Sequence, residues 1–68
     1  MTLRDAINLR ATEMNVNGFD IARLIRREYS TWIVSTDHME KYLAGEKDMS
    51  GDKLDKVLSI LGIALILD

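Results

Sequence analysis

Sixty-eight residues with no cysteine, no proline and one histidine exclude a disulfide scaffold and any cysteine-based zinc site. A chain this short buries only about 60% of the surface its unfolded form exposes, so tight helix packing, association with a second copy, or both must supply its stability. Nine basic against eleven acidic side chains leave a net charge of −2, which excludes a uniformly basic domain and makes the placement of the positive charges the informative quantity.

The opening Met1-Thr2-Leu3-Arg4-Asp5 enters a charged amphipathic pattern at once, so no secretory leader is expected. The longest apolar run, Val57 to Leu67, is broken by Ser59 and Gly62 and falls short of the roughly 20 residues a membrane span needs. The absence of cysteine suits a reducing compartment. A cytoplasmic protein without a membrane partner is the expectation.

Thr2 can cap a first helix, with Asp5 three residues on to complete a capping box. Leu3, Ala6, Ile7, Ala11 and Met14 repeat at helical spacing and leave Arg4, Asn8 and Glu13 outside, so the helix should end near Met14 or Asn15. Asn15-Val16-Asn17-Gly18 has turn composition. Asn17 is a good cap for a second helix, with Asp20 at its third position. Ile21, Ala22, Leu24, Ile25 and Tyr29 form its apolar face, and Arg23, Arg26 and Arg27 make the other side the most basic part of the chain.

Ser30 and the β-branched Thr31, Ile33 and Val34 weaken helix propensity, while Trp32, Ile33 and Val34 are too apolar for a free loop. They are expected to pack under the next helix. Trp32 reads as a core or interface anchor rather than a base-stacking platform, because single-strand binders set aromatics in a basic groove.

Ser35 caps a third helix that Gly45 ends. Met39, Tyr42 and Leu43 share one face, leaving Thr36, Asp37, His38 and Lys41 to point elsewhere. A polar first turn ahead of a buried second half suits a helix that reads a DNA groove. After a polar loop with Met49 as its apolar plug, Ser50 caps a fourth helix with Leu54, Val57, Leu58 and Leu61 inside and Lys53, Asp55 and Lys56 outside. Gly62 suits the left-handed residue that stops it.

Ile63-Ala64-Leu65-Ile66-Leu67 presents no polar side chain, and a lone strand cannot satisfy its backbone groups. It either inserts into the domain or pairs antiparallel with a second copy across a two-fold axis. Pairing is favoured, with Ile63, Leu65, Ile66 and Leu67 as dimer contacts. No nucleophile–base pair, metal spacing or glycine-rich phosphate loop can be assembled, so no enzyme activity, cofactor, metal or small-molecule ligand is expected.

This order of elements resembles the lambda-repressor-like helix-turn-helix family, of which the Cro and XRE proteins are members. Val34-Ser35 followed by Met39 is similar to the family's turn and the start of its recognition helix, and Gly45 lies where that helix ends. Ser50, Leu54, Lys56, Val57, Leu58, Leu61, Gly62 and Ile63 resemble its fourth helix and closing signature. Asn17 through Ala22 looks like the start of its second helix. The chain departs from the family after Ala22, where about seven extra residues, close to two helical turns, precede Val34-Ser35. Either the second helix is longer, carrying the turn about 10 Å further along its axis, or the turn is enlarged.

The resemblance implies an all-α, four-helix or five-helix domain over residues 1–62, with 63–68 as a C-terminal β-strand that builds a homodimer. It implies a sequence-specific, repressor-like regulator that binds double-stranded DNA. Thr36, Asp37, His38 and Lys41 would contact bases, and Asn17, Ser35, Lys47, Arg23, Arg26 and Arg27 would contact phosphates. The acidic Asp37 and Glu40 support an alternative, that the same fold serves as a protein-interaction module such as an antitoxin or a phage-encoded inhibitor.

Overall fold

The computed structural model describes residues 2–62 and, within them, is all-helical: α1 Leu3–Met14, α2 Gly18–Tyr29, α3 Thr36–Ala44 and α4 Gly51–Leu61, with no strand among the described residues. The expected tail contacts Ile63, Leu65, Ile66 and Leu67 lie outside the described residues.

Local chemistry sets the helix starts. The Thr2 hydroxyl accepts from the Asp5 N–H at 3.1 Å while the Thr2 N–H donates to the Asp5 carboxylate at 3.1 Å. Asn17 and Asp20 repeat this reciprocal box at 2.8 and 3.1 Å. The Ser35 hydroxyl accepts from the His38 N–H at 3.1 Å. Each box satisfies amides that the first helical turn leaves without intrahelical partners. Ser50 has the extended cap conformation but makes no side-chain cap hydrogen bond.

All four helices stop at a left-handed residue: Asn15, Ser30, Gly45 and Gly62. Ser30, at φ 58°, holds a conformation that costs a residue with a Cβ about 1 kcal/mol. The extra residues after Ala22 are thus divided. Some lengthen α2 to Tyr29, and the rest make the non-helical connector Ser30–Ser35, so no fifth helix forms there.

One core joins the four helices. Ile7 and Ala11 from α1, Ile21, Ala22 and Ile25 from α2, Met39 and Tyr42 from α3, and Val57, Leu58 and Leu61 from α4 are buried around Val34 of the connector. Ile33 packs against this core but Trp32 does not, remaining 52% exposed. Trp32 is therefore no core anchor, because the connector turns Val34 inward and leaves the indole beside Arg26. Met14, at the last turn of α1, is also exposed.

Arg4 and Asn8, expected on the outside, are instead half-buried clamps. The Arg4 guanidinium donates to the carbonyls of Tyr42 at 2.8 Å and Lys47 at 2.9 Å, and it lies 4.7 Å from the Tyr42 ring centre. The Asn8 amide donates to the Leu43 carbonyl at 3.1 Å, and Arg10 donates to the Leu61 carbonyl at 2.9 Å. The last carbonyls of a helix lack the donor a further turn would provide, and α1 supplies donors to Leu43 and Leu61 and a second one to Tyr42, which also accepts from the Gly45 N–H.

Gly18 sets the crossing of α2 and α3. A Cβ there would meet the Glu40 Cα and N at 2.9 Å, closer than real Cβ atoms approach a backbone. Hydrogen at this position lets the first turn of α2 rest directly on the middle of α3.

Candidate nucleic-acid interface

The third helix is fixed from below and open at its first turn. Met39 is fully buried and Tyr42 nearly so, while Gly45, at φ 84°, donates its N–H to the Lys41 and Tyr42 carbonyls. Burial pushes the Tyr42 phenol above its usual pKa, with Arg4 pulling in the opposite direction and Asp48 adding to the rise. The helix is thus held at its C-terminal half by packing and by Arg4, leaving Thr36, Asp37, His38 and Lys41 at or near the surface.

Those four side chains are less available than their spacing suggests. Lys41 Nζ lies 3.2 Å from the Asp37 carboxylate one turn earlier. An acid preceding a base by four residues is the favourable order on a helix, worth about 0.3–0.5 kcal/mol when exposed. The pair cancels its own charge. Asp37 also sits in the first helical turn, where a carboxylate complements the partial positive charge of the helix start.

His38 Nε2 lies 3.0 Å from the Asp48 carbonyl. A carbonyl can only accept, so this bond requires a proton on Nε2 and leaves Nδ1 for an outside partner. Thr36 is half-buried and has no side-chain hydrogen bond among the described residues. Glu40 is exposed and forms no ion pair among the described residues; its backbone abuts Gly18.

The expected phosphate contacts divide into three groups. Asn17 and Ser35 engage their side-chain oxygens in capping, so any anion contact at these ends falls to the remaining first-turn amides of Gly18, Phe19, Thr36 and Asp37. Lys47 is exposed beside the end of α3. Arg23, Arg26 and Arg27 lie exposed along α2, with Arg23 5.4 Å from the Phe19 ring centre and Arg26 5.6 Å from the Trp32 ring centre. These arginines line an open groove of about 640 Å³ together with Val16, Leu24 and Trp32.

Arg4, which helical spacing places on the outer side of α1, orients α3 through Tyr42. The signal of this role is a basic residue in the first turn of α1, where the helix dipole disfavours a cation unless another element supplies an acceptor. No group of three or more potential metal ligands exists among the described residues, and no helix there is long and apolar enough to cross a membrane. No family model, curated protein or solved structure matches the chain.

Proposed function

We propose that this chain is a sequence-specific DNA-binding regulator of the helix-turn-helix type, with α2 and α3 as its two central helices. It acts in the cytoplasm as a homodimer joined through residues 63–68. The observation that carries the reading is the direct seating of capped α2 on capped α3 at Gly18 and Glu40, with Asp37 exposed and Thr36 and His38 half-exposed in the first turn of α3. Such a turn can enter a major groove while the preceding helix spans the backbone. In this reading Lys41 exchanges Asp37 for a guanine or a phosphate, His38 donates from Nδ1 when protonated, and Thr36 meets a thymine methyl. Asp37, released from Lys41, accepts from a cytosine amine. Lys47, beside the end of α3, adds the salt-dependent phosphate attraction, and the arginines of α2 add to it only where the duplex backbone also reaches the outer side of that helix.

A titration against a randomised duplex pool followed by selection tests this directly. The expected outcome is a selected site with two-fold symmetry, bound about tenfold or more weakly by Lys41→Ala, in line with about 1–3 kcal/mol for a good base contact. Binding that stays unselective and indifferent to Lys41→Ala would sink the reading. Deleting residues 63–68 is expected to give a monomer by sedimentation, and an unchanged dimer would refute the tail as the dimer contact.

The Asp37–Lys41 pair specifically favours a second reading, since it removes the only cation from the outer face of α3. On that reading the fold is a protein-interaction module, and the same titration finds no selected duplex.

A further inference from the structure

The outer side of α2 has a chemistry of its own. With Gly18, Ile21, Ala22 and Ile25 buried, helical geometry turns Arg23 and Arg27 to the opposite side, away from α3. Trp32, from the connector, lies beside Arg26 and lines the groove, whose aliphatic surface is Val16 and Leu24. Asp20 is the groove's one carboxylate, and an oxygen of it already accepts from the Asn17 N–H. Three guanidinium groups therefore face solvent beside an apolar surface, and none of them is within ion-pair distance of a carboxylate among the described residues.

We infer that this groove docks an acidic segment of another protein, one that seats a bulky apolar side chain beside Trp32 and places carboxylates against Arg23, Arg26 and Arg27. Charge complementarity selects an anionic occupant, and the planar arginine fork suits carboxylates held by two bonds. The aliphatic surface selects between anionic occupants. Nucleic-acid platforms stack successive bases on several rings, whereas here Trp32 is the single aromatic among the lining residues and its neighbours are Val16 and Leu24. Arginine and tryptophan beside an apolar surface are the residues that carry most of the energy in protein interfaces. The surface lies on the far side of α2 from α3, so the inference does not rest on α3 reading DNA.

Selection of a random heptapeptide display library on the full chain tests it. Enriched peptides should combine two or more carboxylates with a Leu, Phe or Trp, and synthetic copies should shift the emission of Trp32, the only tryptophan in the chain. Arg27→Glu should weaken the labelled peptide's binding by about tenfold or more, Trp32→Ala by about tenfold, and Lys41→Ala not at all. Both groove residues are exposed, so the melting midpoints of their variants should stay within about 2 °C of the parent. The inference is overturned by no enrichment, by enriched peptides without carboxylates, or by indifference to both groove substitutions. Equal loss with Lys41→Ala would also overturn it. A ten-nucleotide oligothymidine that binds more tightly than the selected peptide would make the groove a single-strand site instead.

Discussion

All five arginines of this chain lie on α1 and α2, and the two helices use them in opposite ways. Arg4 and Arg10 of α1 donate to carbonyls at the ends of α3 and α4, and Arg4 also pairs with Asp48 at 3.2 Å. Arg23, Arg26 and Arg27 of α2 donate to no carbonyl or carboxylate among the described residues, and Arg23 and Arg26 rest on aromatic rings. One set is scaffold and the other is available surface. A guanidinium has five donors, and its role follows from which acceptors the tertiary fold brings within reach.

The largest test of this contrast is Arg4→Ala. It removes bonds to two carbonyls, an exposed ion pair and the contact over Tyr42, and should cost about 2 kcal/mol, or about 10 °C in melting midpoint. A shift under about 2 °C by calorimetry would place Arg4 with the surface arginines. Arg10→Ala removes one bond to the Leu61 carbonyl and should lower the midpoint by about 5 °C.

Alkaline titration probes the same clamp from the side of its partner. The Tyr42 phenol has its pKa raised by burial, so folding favours its neutral form. That contribution is fully present below the ordinary value of 10.0 and is lost as pH climbs through the raised value. Melting midpoints should therefore fall above pH 10, and Tyr42→Phe should flatten that fall. At the acidic end, the hydrogen bond from the Thr2 amide, followed by the influence of the adjacent Thr2 side chain, holds Asp5 below its usual pKa of 3.8. The α1 cap is thus intact above that value and is lost as pH drops through the lowered one, an effect that Asp5→Asn should remove from an acid melting series.

The smallest expected stability effect belongs to the other arginine set. Arg27→Ala should move stability by no more than about 0.5 kcal/mol, yet reduce the log–log salt slope of duplex binding by about one if that arginine meets a phosphate. An unchanged slope would assign Arg27 to the groove alone.

How much of this was legible in the chain differs by element. The helix starts at Thr2, Asn17 and Ser35 could be read because a capping residue and its partner are three positions apart, within one turn. The stops at Gly45 and Gly62 were visible for the same local reason, through the left-handed conformation that glycine tolerates. The buried stripe of α4 followed from helical spacing, and so did that of α2 apart from Leu24, which lines the outer groove instead of joining the core. The division of the stretch after Ala22 was not legible, because Ser30 takes a left-handed stop for which its side chain gives no signal.

Of the candidate site, the positions on α3 were readable and their mutual engagement only partly so. Asp37 and Lys41 sit at pairing distance along one helix, whereas His38 meets Asp48 through the return of the following loop.

Sequence alone determined where the helices begin, which faces they bury, and that positive charge concentrates on α2, since each of these depends on residues within a turn or two of one another. Tertiary structure alone decided that Trp32 stays outside, that Arg4 and Asn8 close the end of α3, and that Gly18 sits against Glu40. Those contacts join residues between 22 and 38 positions apart, and one-dimensional spacing carries no information about which distant carbonyl or backbone atom a side chain will meet.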